Sequence, residues 1–459
     1  MKAAERIAAF ASSLQPAQLT PELLQATGRA LLDTYACAIA GRNEEATQLA
    51  MRYARASALP APGRAARDWG TGAPLPLELA ALVNGVAGHV LDYDDVTSPM
   101  RGHPSIALLP ALVGLAEASD ASGAELACAY VAGFEVICKL SKAIAVKHYA
   151  RGWHSTSSIG TIAAAAACAR LLRLDARRTT HAIGLAVAQA AGSRANFGTH
   201  AKSFQAGQAN AAGLRAALLA AEGFDAAAGV LDDAFGYLDL YGNGESLAPQ
   251  VETIGTAPLE LLASGIEVKK YPLCYATHRA LDGVLDLRGE HGLTLADVGA
   301  VHVRTSAGAL TPLIHMRPQT GLEGKFSMQY ALTAALLDGA VLLSSFTDAA
   351  VRRPEAQPFF ASVTTDDATD SPTFPRWTEI TLTLKNGSRL QRRVDLLRGS
   401  AQSPLSLQEL RVKLEDCLAW GEAHADVDRL FGGALALDRI TVREWLDIAA
   451  PNRGDKTCH

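Results

Sequence analysis

Histidines and aspartates interrupt otherwise apolar sequence in the segment HVLDYDDVTSPMRGHPS. It contains His89, Asp92, Asp94, Asp95 and His103, and imidazole and carboxylate groups are the usual general acids and bases of enzymes. Taken alone, an acidic triplet that follows an apolar helix is typical of a solvated loop. Because adjacent aspartate side chains diverge and no His/Asp/Glu partner lies at helical ligand spacing, we expect no bound metal here.

A second histidine precedes a run of hydroxyl side chains. His154 stands directly before Ser155–Ser158 and the alanine-rich sequence that follows them. The hydroxyls can cap the helix that begins there. A histidine at this position is also placed to meet an anion, since the free N–H groups of a helix N-terminus favour negative charge.

Lysines occupy two further polar segments. In NFGTHAKSFQAGQAN, Lys202 precedes an alanine-rich helix, where the helix dipole disfavours a cation unless an anion lies nearby. In EVKKYPLCYATH, Lys269 and Lys270 are followed by Cys274 and His278. Together the four segments supply histidines, cations and an acidic cluster, a combination that suits a small polycarboxylate ligand.

The elements that position these residues are mostly helices. Thr20-Pro21 is a helix start signal, Leu24, Leu31, Tyr35 and Ile39 recur at helical spacing, and Gly41 follows the last of them. Similar patterns continue to about residue 260 and are rich in Ala and Gly, which lets helix axes approach closely. We therefore predict a mainly α protein whose residues 1–265 form a large all-helical domain.

The pattern changes after Gly265. Val298–Ser306 alternates as a half-buried strand does, and the segments 378–385 and 388–396 flank an Asn-Gly turn, which predicts a hairpin. We predict a smaller α+β lid domain over 266–400 and helices over 401–459 that return to the helical domain. The usual place for a substrate pocket is between two such domains.

Composition excludes several classes of protein. The 459 residues carry 42 Lys+Arg and 47 Asp+Glu, a net charge of −5, with no basic run, so we expect no nucleic-acid or membrane partner. No secretory signal pattern is visible at the N-terminus, which favours a cytoplasmic location. The seven cysteines are scattered and contain no C-x-x-C pair, so neither a disulfide framework nor an iron–sulfur site is indicated.

The same polar segments resemble the MmgE/PrpD family across nearly the whole chain. The resemblance rests on these motifs in this order: LDTYACAIAG, N-G-x-x-x-H-x-L-D-Y-D-D at 84–95, GHPS at 102–105, GWH at 152–154, FGTHAKSFQAG, KKYPLCYATH, and KFSMQY with LLDG at 336–339. The family includes 2-methylcitrate dehydratase, cis-aconitate decarboxylase and iminodisuccinate epimerase. The resemblance implies a helical domain with an α+β lid, a homodimer, and catalysis without a cofactor.

The resemblance also implies a set of site residues. Carried over position by position, these are Asp92, His103, His154, Lys202, Lys269 and Tyr330. We expect catalytic roles for His154, Lys202, His103 and Tyr330, and substrate binding by Asp92, Lys269 and His278. Two positions depart from some decarboxylases of the family: Cys274 stands where they have a histidine and Val96 where they have a threonine.

The sequence therefore predicts a cofactor-independent lyase acting on a small di- or tricarboxylate such as 2-methylcitrate or cis-aconitate, most simply a 2-methylcitrate dehydratase-like hydro-lyase. Elimination, decarboxylation and epimerisation all develop negative charge beside a carboxylate, so each needs cations and proton carriers. The alternatives are an epimerase of a dicarboxylate such as iminodisuccinate, and a non-catalytic protein that binds an anionic metabolite.

Overall fold

Helices make up most of the described chain, which confirms the prediction of a mainly α protein. The computed structural model describes residues 1–58, 64–242, 244–372 and 374–450. The chain divides into two units, which we call unit 1 and unit 2: unit 1 is Met1–Glu267 with the described part of Arg411–His459, and unit 2 is Val268–Leu410. The arrangement of a lid domain, and the three ranges that the sequence suggested, stay predictions.

Unit 1 is helical apart from a short antiparallel ribbon of two strands. Its elements in the first part of the chain are α1 (Ala3–Ser13), α2 (Pro21–Ala40), α3 (Glu45–Ser57), β1 (Ala65–Arg67), β2 (Pro74–Pro76), α4 (Leu77–His89), α5 (Leu109–Ala118), α6 (Gly123–Ala150), α7 (Ser155–Leu171), α8 (Ala176–Val187), α9 (His200–Ala221), α10 (Tyr237–Tyr241), α11 (Ala248–Val251) and α12 (Glu260–Ala263).

The start of α2 shows how local sequence defines these helices. The side chain of Thr20 accepts a hydrogen bond from the N–H of Leu23, and Pro21 occupies the first helical position, where no N–H is needed. The helix ends at Gly41, as the sequence indicates. Within the described residues, we find no helix with the length and apolarity needed to cross a membrane.

Small residues let three helices of unit 1 pack closely. A Cβ on Gly207 of α9 would lie 2.4 Å from the carbonyl oxygen of Leu82 in α4. A Cβ on Gly213, six residues further along α9, would lie 2.5 Å from the Cβ of Ala164 in α7. Larger side chains would push these helices apart, so the Ala/Gly-rich sequence brings α4, α7 and α9 into direct backbone contact.

Unit 2 combines helices with a four-stranded sheet in the order β4-β3-β5-β6. Its elements are α13 (His278–His291), β3 (Val298–Ser306), α14 (Gly321–Gly324), α15 (Met328–Asp338), α16 (Asp348–Val351), β4 (Val363–Ala368), β5 (Thr378–Leu384) and β6 (Arg389–Val394). Strand β3 pairs with β4 in parallel and with β5 antiparallel. Three helices follow: α17 (Leu407–Trp420), which contains the boundary between the units, α18 (Val427–Leu435) and α19 (Val442–Ala449).

The predicted strand and hairpin of unit 2 are confirmed. Strand β3 spans the predicted residues, and β5 and β6 pair antiparallel on either side of the Asn386-Gly387 turn. Gly387 has a φ of 88°, which a glycine adopts without strain. The inward-facing Ile380 and Leu382 of β5 join the buried core of this unit.

Candidate active site

Three helix ends of unit 1 meet and carry polar side chains. His89 is the last residue of α4, His154 is the N-cap of α7, and Lys202 and Gln205 lie in the first turns of α9. The close packing of these helices described above brings their ends together. The segment 90–108, between α4 and α5, adds Asp92, Asp94 and His103 to the same place.

The segment after α4 is held in a defined, buried conformation. The Asp95 carboxylate accepts hydrogen bonds from the backbone N–H and the hydroxyl of Ser105, and burial raises its pKa well above the usual range. Asp94 and Asp95 are fully buried, so a solvated loop, the expectation for an isolated acidic triplet, is wrong. Asp92 adopts a left-handed backbone conformation with a φ of 55°, which suits an aspartate in a tight turn.

One carboxylate joins two histidines. Oδ2 of Asp94 lies 2.9 Å from Nδ1 of His89 and 3.0 Å from Nδ1 of His103. Burial alone would raise the pKa of Asp94, but the facing histidines lower it well below its usual range. Asp94 is therefore ionised at neutral pH. Nδ1 of His89 donates a hydrogen bond to it, and Nδ1 of His103 faces it at ion-pair distance, where the negative charge favours a proton on that nitrogen.

The protonation of His154 follows from its neighbour Gln205. The amide nitrogen of Gln205 donates to the carbonyl of Ser193 at 3.0 Å, so its oxygen faces Nδ1 of His154 at 2.7 Å and must accept. Nδ1 of His154 thus carries a proton, and Nε2 keeps a lone pair. Burial, helped by the neighbouring His89, lowers the pKa of His154 to about 3, so the ring is neutral at physiological pH.

A cation and a second carboxylate complete the cluster. Nζ of Lys202 lies 2.5 Å from Oδ1 of Asp92, and Nε2 of His103 lies 3.4 Å from the same oxygen. The side chains of Lys202 and Asp92 are 20% and 34% exposed, so this edge of the cluster is accessible to a solute. Phe197 packs edge-on against His154, with ring centroids 5.0 Å apart, and lies below the Lys202 ammonium.

The cluster contains a set of groups that could hold a metal ion. Ligand atoms of His89, Asp94 and His103 lie within 4.8 Å of one another. However, both Nδ1 atoms are at hydrogen-bonding distance from the carboxylate, and an imidazole must give up the proton on the nitrogen that binds a metal. The arrangement therefore fits a carboxylate paired with two histidines, and the absence of a metal stays a prediction that a chelator tests.

The remaining predicted site residues belong to unit 2. Lys269 is buried, and His278, at the start of α13, is buried with Nε2 at 3.3 Å from the carbonyl oxygen of Leu273. Tyr330 is buried on α15, and its hydroxyl donates to the carbonyl of Ser345. Burial raises the pKa of Tyr330 to about 12. The catalytic and binding roles expected for these three residues stay predictions.

Sequence reasoning did not assign three residues of this cluster. His89 and Asp94 lie in a noted motif, but only the folded segment shows that the Asp94 carboxylate lies between His89 and His103. Their five-residue spacing across a helix end was the available signal. For Gln205 the sequence offered no signal apart from its position one helical turn after Lys202, because glutamine is common on helix surfaces.

Comparison with known proteins identifies the class of protein. The MmgE/PrpD N-terminal domain matches residues 5–250 and the MmgE/PrpD C-terminal domain matches residues 271–435. The chain therefore belongs to the MmgE/PrpD family, which confirms the resemblance seen in the motifs.

Three similar individual proteins are named cis-aconitate decarboxylase. The human cis-aconitate decarboxylase is 30% identical over 421 residues, which cover 89% of this chain and 86% of the relative. The mouse cis-aconitate decarboxylase is 29% identical over 434 residues, which cover 89% of this chain and 85% of the relative. The cis-aconitate decarboxylase of Aspergillus terreus is 28% identical over 380 residues, which cover 78% of this chain and 77% of the relative.

Proposed function

We propose that this protein is a lyase that acts on a small tricarboxylate. The observation that carries the proposal is a base and an acid in one buried cluster: neutral His154, with a lone pair on Nε2, and His103, whose Nε2 faces Asp92. Lys202 supplies a cation at the exposed edge of the cluster. The names of the relatives support a tricarboxylate as the substrate class.

We further propose elimination of water from a hydroxy-tricarboxylate of the 2-methylcitrate type. Nε2 of His154 removes the proton from the carbon next to a carboxylate, and the electron pair of the broken C–H bond forms the C=C bond. The C–O bond breaks at the neighbouring carbon. His103, which in this scheme carries a proton on each nitrogen, gives the proton on Nε2 to the departing hydroxide to form water and keeps the proton on Nδ1. An elimination of this kind needs one base and one acid, which the cluster offers.

Lys202 binds a substrate carboxylate in this scheme, and Asp92 holds the ammonium in place before the substrate arrives. Negative charge that develops beside that carboxylate is stabilised by the same cation. An anionic substrate near His154 also raises the pKa of the ring above its value in the free protein, which makes Nε2 a stronger base when the substrate is bound.

Decarboxylation of cis-aconitate is the second candidate, and the names of the relatives favour it. Loss of CO₂ leaves a carbanion that needs only a proton donor, which His103 provides. Val96 and Cys274, which depart from some decarboxylases of the family, favour elimination over this reaction.

A panel of substrates followed by ¹H NMR in D₂O tests these proposals. We expect a new vinyl signal and water loss from methylcitrate or citrate; turnover of cis-aconitate with release of CO₂ would assign the second candidate instead. Exchange and inversion at an α-carbon of iminodisuccinate would identify an epimerase and overturn the lyase. Ligand-induced stabilisation without turnover of any compound would identify a protein that only binds the anion.

A further inference from the structure

We propose that Asp94 and His89 are positioning residues that hold His103 in the tautomer and orientation its proton transfer requires. This inference rests on the proposed function, in which His103 delivers a proton from Nε2. Neither residue reaches solvent, so neither is placed to touch a substrate. Their effect has to pass through His103.

The carboxylate of Asp94 defines which nitrogen of His103 reacts. Nδ1 of His103 lies 3.0 Å from Oδ2 of the ionised carboxylate, at ion-pair distance. The negative charge therefore favours a proton on Nδ1 throughout the reaction. Nε2 is then the nitrogen that gains and loses a proton, and it is the one that faces Asp92 at the accessible edge. An aspartate that orients a catalytic histidine in this way stabilises one tautomer over the other.

His89 holds the Asp94 carboxylate from the opposite side. Its Nδ1 lies 3.1 Å from Oδ1 and 2.9 Å from Oδ2, so it donates to both oxygens. Without this donor, the carboxylate could rotate away from His103. Nδ1 of His103 faces the same carboxylate at 3.0 Å, so the two histidines hold it from two sides.

The ring of His89 also separates the two proton-carrying histidines. It packs edge-on against His103 with centroids 4.5 Å apart, and near-parallel to His154 with centroids 5.9 Å apart. Burial lowers the pKa of His89 to about 4, so the ring is neutral and adds no charge between them. His89 thus sets the distance between the acid, His103, and the base, His154, and does not itself carry the transferred proton.

Two substitutions of His89 separate a donor role from a packing role. The amide nitrogen of asparagine replaces Nδ1 of histidine, so His89→Asn keeps a donor to Asp94, whereas His89→Phe keeps a ring and removes the donor. We expect kcat to fall less than tenfold in His89→Asn and about 10²-fold in His89→Phe, with KM within about threefold of the wild type. A packing role predicts the reverse order, and that result would overturn the proposal.

Asp94→Asn supplies the second arm of the test. An amide presents a donor to one of the two Nδ1 atoms, which forces a wrong tautomer, so we expect kcat to fall about 10²–10⁴-fold. His181→Asn is the matched control, since His181 lies on α8, where its Nδ1 contacts the backbone of Ala226, and it should leave kcat unchanged.

A spectroscopic readout keeps the inference testable if no substrate turns over. In ¹⁵N-edited spectra of the full chain with labelled histidines, we expect Nδ1–H signals of His89 and His103 displaced by the carboxylate. They are assigned by their loss in His89→Asn and His103→Asn, and both should shift in Asp94→Asn. Finding His103 protonated on Nε2 alone in the wild type would overturn the inference whatever the reaction is.

Discussion

The ammonium of Lys202 lies 2.5 Å from Oδ1 of Asp92, between the start of α9 and the segment that follows α4. A lysine in the first turn of a helix opposes the helix dipole, and this pairing supplies the anion that such a position needs. Asp92 in turn adopts a left-handed backbone conformation at this point. The pair forms the accessible edge of the cluster and defines where a substrate carboxylate can be bound.

Lys202→Ala is expected to weaken substrate binding. A charge-assisted hydrogen bond contributes about 1.5–3 kcal/mol, so KM should rise about tenfold to hundredfold. The Tm should stay close to that of the wild type, because a partly exposed ion pair stabilises little. Lys147→Ala, which breaks the exposed ion pair with Glu245, is the control. A fall in kcat with KM unchanged would contradict a binding role.

His154→Asn is expected to fold normally and to lose about 10²–10⁴-fold in kcat. The asparagine amide can still donate to Gln205, but no group replaces Nε2. If His154 only holds the start of α7, His154→Asn should be nearly fully active and His154→Ala should lower the Tm. Steady-state kinetics and thermal melts on both variants separate the two roles.

Stability should decrease as the pH falls from 6.5 towards 4. His89 and His154 have folded pKa values of about 4 and about 3, below the value of 6.5 for a free histidine. In this range the unfolded chain binds protons that the folded chain does not, so acid favours unfolding, by at most about 1.4 kcal/mol per pH unit for each histidine. Above pH 6.5 the free energy of unfolding contains the full contribution of these two neutral histidines.

Urea unfolding of the wild type and of His154→Asn at several pH values measures this effect. The substitution removes one of the two groups, so the pH dependence of the free energy of unfolding should become shallower. His181→Asn serves as the control. An identical slope in wild type and His154→Asn would show that His154 does not become buried as a neutral ring on folding.

Turnover is expected to survive EDTA. In the described residues, His89, Asp94 and His103 are the group whose ligand atoms lie close enough to hold a metal. We assign a proton to the Nδ1 atom of each histidine, where it faces the carboxylate. Metal analysis of the purified protein, with assays before and after chelation, checks this assignment. Loss of turnover that Mg²⁺, Mn²⁺ or iron restores would refute it.

Tyr330→Phe tests the catalytic role that the family resemblance implies. The hydroxyl donates to the carbonyl of Ser345 inside unit 2, so its removal should cost about 0.5–1.5 kcal/mol of stability in any case. A catalytic role also predicts a fall in kcat at temperatures where the variant is fully folded. A lower Tm with unchanged kcat would assign the residue to the core of unit 2 alone.

Local patterns in the sequence predicted the elements that local forces define. Thr20-Pro21 begins α2, and the Asn386-Gly387 turn joins β5 and β6, because caps and turns depend on residues close in the chain. The cluster depends on contacts between distant residues. His154 and Gln205 are 51 positions apart, and no periodic pattern reveals that they share a hydrogen bond.

The burial of the acidic segment was harder to predict from the sequence than the helices and strands were. Three aspartates within four residues are usually solvated, since burying a carboxylate is costly unless it is paired. Here each has its own partner: Lys202 for Asp92, the two histidines for Asp94 and Ser105 for Asp95. Only Lys202 is distant in the chain, and the other partners face the aspartates because of how the segment folds, so composition alone suggested the wrong environment.

The most direct test of the account is a ¹H NMR time course in D₂O that compares the wild type with His154→Asn on methylcitrate and cis-aconitate. The account predicts a growing vinyl signal from methylcitrate with the wild type, and a rate lowered about 10²–10⁴-fold in the folded variant. Equal rates in the two proteins would contradict the assignment of His154 as the base. No turnover of either tricarboxylate by the wild type would contradict the proposed lyase.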